Sequence, residues 1–165
     1  MSHYGTTVCA ASLAELRSDA HIVAGLFNEA RDSQLETVTF GYTQNKMIIQ
    51  LEEIFSECSS DGWDGYGAAP VTQETYANAR FLISCIPFYL LSPEILSPEI
   101  GAEPDGHLTF EWYRNPRCLI SVSISPEGDL HYASLIGASR YFGTEPFLGE
   151  IPLIIRDIIN RVVKA

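Results

Sequence analysis

Residues 108–136 read LTFEWYRNPRCLISVSISPEGDLHYASLI, and this stretch decides the fold. Leu108, Phe110 and Trp112 alternate with Thr109, Glu111 and Tyr113. Ile120, Val122 and Ile124 alternate with Leu119, Ser121, Ser123 and Ser125. A period of two places each set on one face of a strand. The turn Pro126-Glu127-Gly128-Asp129 leads into a third segment, residues 130–136. The pattern predicts a three-stranded antiparallel meander with one apolar face and one more polar face.

Working outward toward the C-terminus, Ile151, Ile154, Ile155, Ile158, Ile159 and Val162 recur at helical spacing. Pro152 sits in the first turn, where a missing N–H costs little. This helix is expected to lie across the apolar face of the meander.

Toward the N-terminus, Thr72 is placed to cap a helix that ends at Pro87, with Tyr76, Ala79, Ile83 and Ile86 on its buried side. Met47, Leu51, Ile54, Phe55 and Cys58 form the apolar stripe of another helix, residues 45–58, and Lys46, Gln50, Glu53 and Glu57 fall mostly off it. Val38, Phe40 and Tyr42 alternate with Thr37, Thr39 and Gly41 as in a short strand. Ser12-Leu13-Ala14-Glu15 is a capping box opening a helix over 13–30. Residues 91–100 are LSPEI written twice, a duplication expected in a tolerant loop with extended, non-helical backbone. The expected fold class is α+β: a three-stranded antiparallel meander packed against a C-terminal helix and two or three N-terminal helices. Residues 1–44 are expected to be an N-terminal helical extension and residues 45–165 a single α+β domain.

The 165 residues carry a net charge of −11, unevenly. Residues 1–50 contribute −2, residues 51–110 contribute −9 and residues 111–165 contribute zero. Such a field repels phosphate backbones, so direct nucleic-acid binding is not expected. It attracts basic surfaces, including those of proteins that bind nucleic acid. An acidic total by itself also serves solubility.

No apolar run reaches the roughly 18 residues of a membrane span, and the first ten residues lack a secretory pattern. Cys9, Cys58, Cys85 and Cys118 lie far apart with no CxxC. Reduced thiols in the cytoplasm fit this best, and no zinc ribbon is expected.

Phosphate-binding loops, dinucleotide fingerprints, nucleophile elbows and HExxH are all missing from the sequence. His3, His21, His107 and His131 show no metal-ligand spacing. Asp61 and Asp64 lack the further ligands of a calcium loop. No metal, cofactor or catalytic residue is assigned. Glu111, Ser121, Ser123 and His131 fall on the polar sheet face, where a Ser-His-Glu constellation is imaginable. No oxyanion-hole glycines accompany them, and mid-strand serines on a solvated face are ordinary. Glu111 is expected to pair with Arg114, Arg117 or Arg140, or with backbone donors.

The most distinctive segment is Trp63-Asp64-Gly65-Tyr66-Gly67. Two aromatics among glycines suit a partner-binding hot spot. The same residues also suit a loop folded back to plug one end of the core. Residues 141–147, YFGTEPF, read as a similar packed turn at the edge of the same surface.

Taken together, WDGYGAAP at 63–70, Pro104-Asp105-Gly106 with Glu111-Trp112, and Gly143-Thr144 with Phe147 and Ile151-Pro152 resemble a widespread set of small bacterial proteins of unknown function. The resemblance covers roughly residues 45–163 and leaves out the first 44 residues and the LSPEI duplication. It implies a mobile or defence-related gene neighbourhood and transfers no biochemical role.

These readings favour a non-catalytic acidic interaction protein that binds a basic surface of a protein partner. An antitoxin, an immunity protein or a phage-type, anti-CRISPR-like inhibitor of a nucleic-acid-processing complex belongs to this class. The expected contacts are Glu52, Glu53, Glu57, Asp61, Trp63, Asp64 and Tyr66. One alternative is a homo-oligomer joined through Leu153, Val163 and the Phe88-Tyr89-Leu90-Leu91 run. The other is a small enzyme, which requires one pocket joining Glu111, His131 and the Asp61–Asp64 loop.

Overall fold

The alternation at 108–136 becomes the middle of a five-stranded antiparallel sheet in the computed structural model, which describes residues 41–90 and 96–165. Helix α1 spans residues 41–58, and helix α2 spans Gln73–Cys85. A single 3-10 turn follows at Phe88–Leu90. The strands are β1 (Glu99–Ala102), β2 (Leu108–Asn115), β3 (Cys118–Ile124), β4 (Asp129–Ile136) and β5 (Ser139–Pro146). Helix α3, Leu153–Lys164, closes the chain. The strands pair in sequence order, each antiparallel to its neighbour, so every connection is a short turn. These residues belong to one compact unit, Thr39–Ala165.

The α+β class holds, but the sheet has five strands where three were expected. Both missed strands are edges. Strand β1 takes Glu99 and Ile100 from the second LSPEI copy, where the prolines suggest a loop. Its four residues are too few to show a period, and pairing of Ile100 with Phe110 supplies what propensity does not. Strand β5 is the segment read as a packed turn. Only its Tyr141, Gly143 and Glu145 turn toward partial cover, so no apolar alternation marks it. The short strand expected at 38–42 is also overturned where it is described, because Gly41 and Tyr42 are helical. The helix expected over 13–30 lies outside the described residues, as does the rest of the expected extension up to residue 40.

Register explains the two faces. Leu108, Phe110 and Trp112 stand opposite Ile124, Val122 and Ile120. Leu130 continues the same face on β4. Helix α3 packs on β2, β3 and β4, and α2 packs on β2 and β3. Ile151, Ile155, Ile158, Ile159 and Val162 are buried against this face, while Ile154, at the margin of the same stripe, is exposed. Met47, Leu51 and Cys58 of α1 join the same core. Burying eleven large side chains almost completely contributes about 1.5–3 kcal/mol each before entropy is counted.

Polar links fix the layers. The Thr72 hydroxyl accepts from the Thr75 N–H and caps α2. The Asn78 amide donates to the carbonyls of Ser125 and Pro126, tying α2 to the β3–β4 turn. Gln50 donates to the Ile100 carbonyl, joining α1 to β1. Arg161 of α3 donates to the Tyr141 hydroxyl at 3.1 Å and holds that phenol's pKa below its ordinary value.

Candidate functional site

Two polar regions stand out, and they are built differently. The first runs along the outer side of α1. The apolar stripe turns Met47, Leu51 and Cys58 inward, which leaves Glu52, Glu53 and Glu57 exposed. Asp61 follows, also exposed, in the loop after the helix. Within the described residues none of these four carboxylates has an ion-pair partner.

The loop that follows splits its two aromatics. Trp63 folds back, packs on the core and donates its indole N–H to the Ala69 carbonyl at 3.0 Å. Tyr66 stands 95% exposed. Asp64 is spent on the loop itself: its Oδ1 accepts from the N–H groups of Tyr66 and Ala68 at 2.8 and 3.0 Å. The Ala68 donor first, then Tyr66, holds its carboxyl below the usual range. Backbone bonds close the rest, Gly62 N–H to Ala68 at 2.8 Å and Val71 N–H to Cys58 at 2.9 Å. Asp64 and Trp63 therefore shape this loop, and Tyr66 is what it displays.

The second region is the open face of the sheet, opposite the helices. Thr109, Ser123, His131 and Thr144 form one row across four strands. Glu111, Ser121, Ala133 and Phe142 form the next. The histidine finds its partners along the first row. Its Nδ1 lies 2.8 Å from the Thr144 hydroxyl, and its ring stacks on that of His107 with centroids 5.4 Å apart and planes 1° from parallel. Glu103 accepts from the hydroxyls of Thr109 and Ser123. His107 lies 3.4 Å from the Asp105 carboxylate. Glu127, from the β3–β4 turn, is held below its ordinary pKa by its own backbone N–H and the Ser125 hydroxyl, with smaller help from the two histidines.

This arrangement does not join Glu111 to His131. They sit two strands and one row apart, about 12 Å between Cα atoms from standard sheet spacings. The hollow beside Glu111 is lined by Leu96, Ser97, Glu99 and Tyr113. No arginine pairs with Glu111 among the described residues, and Arg114 instead donates to the Val163 carbonyl. Sequence reasoning missed Glu103, Asp105 and His107. The signal was there in the Pro-Asp-Gly turn followed by a histidine in phase with Thr109.

Of the residues offered for self-association, Val163 and Leu90 are buried in the core and cannot form a surface patch. Leu153 and Tyr89 remain exposed. Cys58, Cys85 and Cys118 are free, and burial followed by the nearby Glu57 charge pushes the Cys58 thiol up, away from reactive thiolate. No helix of the described residues is long and apolar enough to cross a membrane.

No protein-family model matches this chain, and none of the curated proteins or solved structures compared with it matches either.

Proposed function

We propose that this chain is a non-catalytic interaction protein of the cytoplasm that presents the outer side of α1 and the Tyr66 loop to a basic surface of a protein partner. The observation that carries this reading is the row Glu52, Glu53, Glu57 and Asp61: exposed, acidic and without a counter-charge among the described residues. A row of unpaired like charges raises the local negative potential and favours a cationic partner. Tyr66, 95% exposed in the loop that follows α1, adds an aromatic group that suits an anchor burying area at low entropy cost. Partners with such basic surfaces include nucleic-acid-processing proteins, which puts an antitoxin, immunity protein or inhibitor of such a complex within this reading. The motifs at 63–70, 104–106 and 143–152 are taken in the same sense, as marks of the small bacterial family they resemble.

The test is capture of partners on the tagged full chain from nuclease-treated host lysate, followed by titration of whichever protein is retained. Binding is expected to weaken steeply between about 0.05 and 0.5 M salt, where the screening length drops to a few Å. The triple change Glu52→Lys, Glu53→Lys, Glu57→Lys is expected to lower affinity about tenfold or more at low salt. Affinity that ignores both salt and the reversals defeats the reading.

A further inference from the structure

The turn between β1 and β2 gathers ligating atoms that the spacing of the histidines does not reveal. Backbone bonds close it: Glu103 N–H donates to the His107 carbonyl at 2.9 Å, and Gly106 N–H donates to the Glu103 carbonyl at 3.0 Å. The His107 N–H donates to Asp105 Oδ1 at 3.1 Å. With the backbone folded this way, one ligand atom each from Glu103, Asp105 and His107 lies within 4.8 Å of the other two. An ion about 2.0–2.2 Å from tetrahedrally placed ligands holds them about 3.4 Å apart, the separation that His107 Nδ1 and Asp105 Oδ2 already have.

We propose that Glu103, Asp105 and His107 form a binding site for one divalent transition-metal ion of the zinc type. The donor set is one imidazole nitrogen and two carboxylates, which suits zinc and its first-row neighbours and not the all-oxygen shells of calcium or magnesium. The supports of the ligands are already in place. The hydroxyls of Thr109 and Ser123 donate to Glu103 and fix its carboxylate, the kind of outer hydrogen bond that orients a metal ligand. His131 stacks on His107 and sets its ring plane, while the Thr144 hydroxyl anchors His131 in turn. Charge points the same way. Within the described residues, Glu103 and Asp105 have no lysine or arginine partner and Asp105 faces only the His107 imidazole, so a dication offsets two adjacent negative charges.

The experiment uses the full chain, stripped of metal, titrated with zinc ion alone by calorimetry and with cobalt(II) ion by absorption. One zinc per chain is expected, together with a cobalt spectrum lacking thiolate charge-transfer bands, since no cysteine belongs to the site. Asp105→Asn and His107→Ala are each expected to weaken zinc binding about tenfold or more. Glu103→Gln, which keeps the shape that Thr109 and Ser123 hold, is expected to do the same. Asp105 is on the exposed turn, so Asp105→Asn decides the matter if His107→Ala does not fold. The absence of saturable zinc binding overturns the proposal. So does binding that all three variants leave unchanged, or a cobalt spectrum dominated by thiolate.

Discussion

Gly106 and Pro70 meet backbone to backbone: a Cβ added to Gly106 would fall 2.8 Å from the Pro70 carbonyl oxygen, and Gly106 has φ of +85°. The neighbouring Ala69 N–H donates to the Pro104 carbonyl at 2.8 Å. These contacts bind the tryptophan loop to the β1–β2 turn. Two motifs far apart in sequence thus become one corner of the fold, where Trp63 packs and from which His107 projects.

Gly106→Ala is therefore expected to cost about 1–3 kcal/mol, from left-handed backbone and a clash with a carbonyl that cannot yield. Urea unfolding measures it. An unchanged midpoint shows that this corner does not hold the loop.

Acid should loosen the tryptophan loop through Asp64. Its folded pKa lies below the unfolded value of about 3.9, so the stability it contributes is complete above that value. That stability is lost as pH falls through the folded pKa. The stability difference between wild type and Asp64→Ala is expected to stay constant from neutral pH to about 4 and to shrink below it. Thermal melts across that range check it, and a difference that grows on acidification refutes the assignment.

On α3, two neighbouring positions should behave oppositely. Ile155 is fully buried, and Ile155→Ala is expected to destabilise by about 2–5 kcal/mol. Leu153 is 66% exposed, and Leu153→Ala is expected to change stability by less than about 0.5 kcal/mol. Paired denaturant curves compare them, and similar losses at both positions contradict this placement of the helix.

The parts read directly from sequence share one property: a long, strongly periodic pattern with one buried side. Helix α3, the stripe of α1 and strands β2 and β3 have it, because burial of one face imposes its period on the residues. The edge strands β1 and β5 lack it. Each pairs on one side only, so register with β2 and β4 creates them and composition does not announce them. The acidic row on α1 was legible for the same reason as its stripe, since one face implies the other.

The chain's sequence by itself determined the α+β class, the central meander, the helix that covers it and the concentration of negative charge in the middle third. Those follow from periodicity and composition, which are local. Tertiary structure alone decided that Trp63 turns inward while Tyr66 turns out, and that Val163 is core. It also decided that His131 meets His107 and Thr144 rather than Glu111. Each of those outcomes depends on which residues the sheet register and the Gly106–Pro70 contact bring face to face, and no local spacing encodes that.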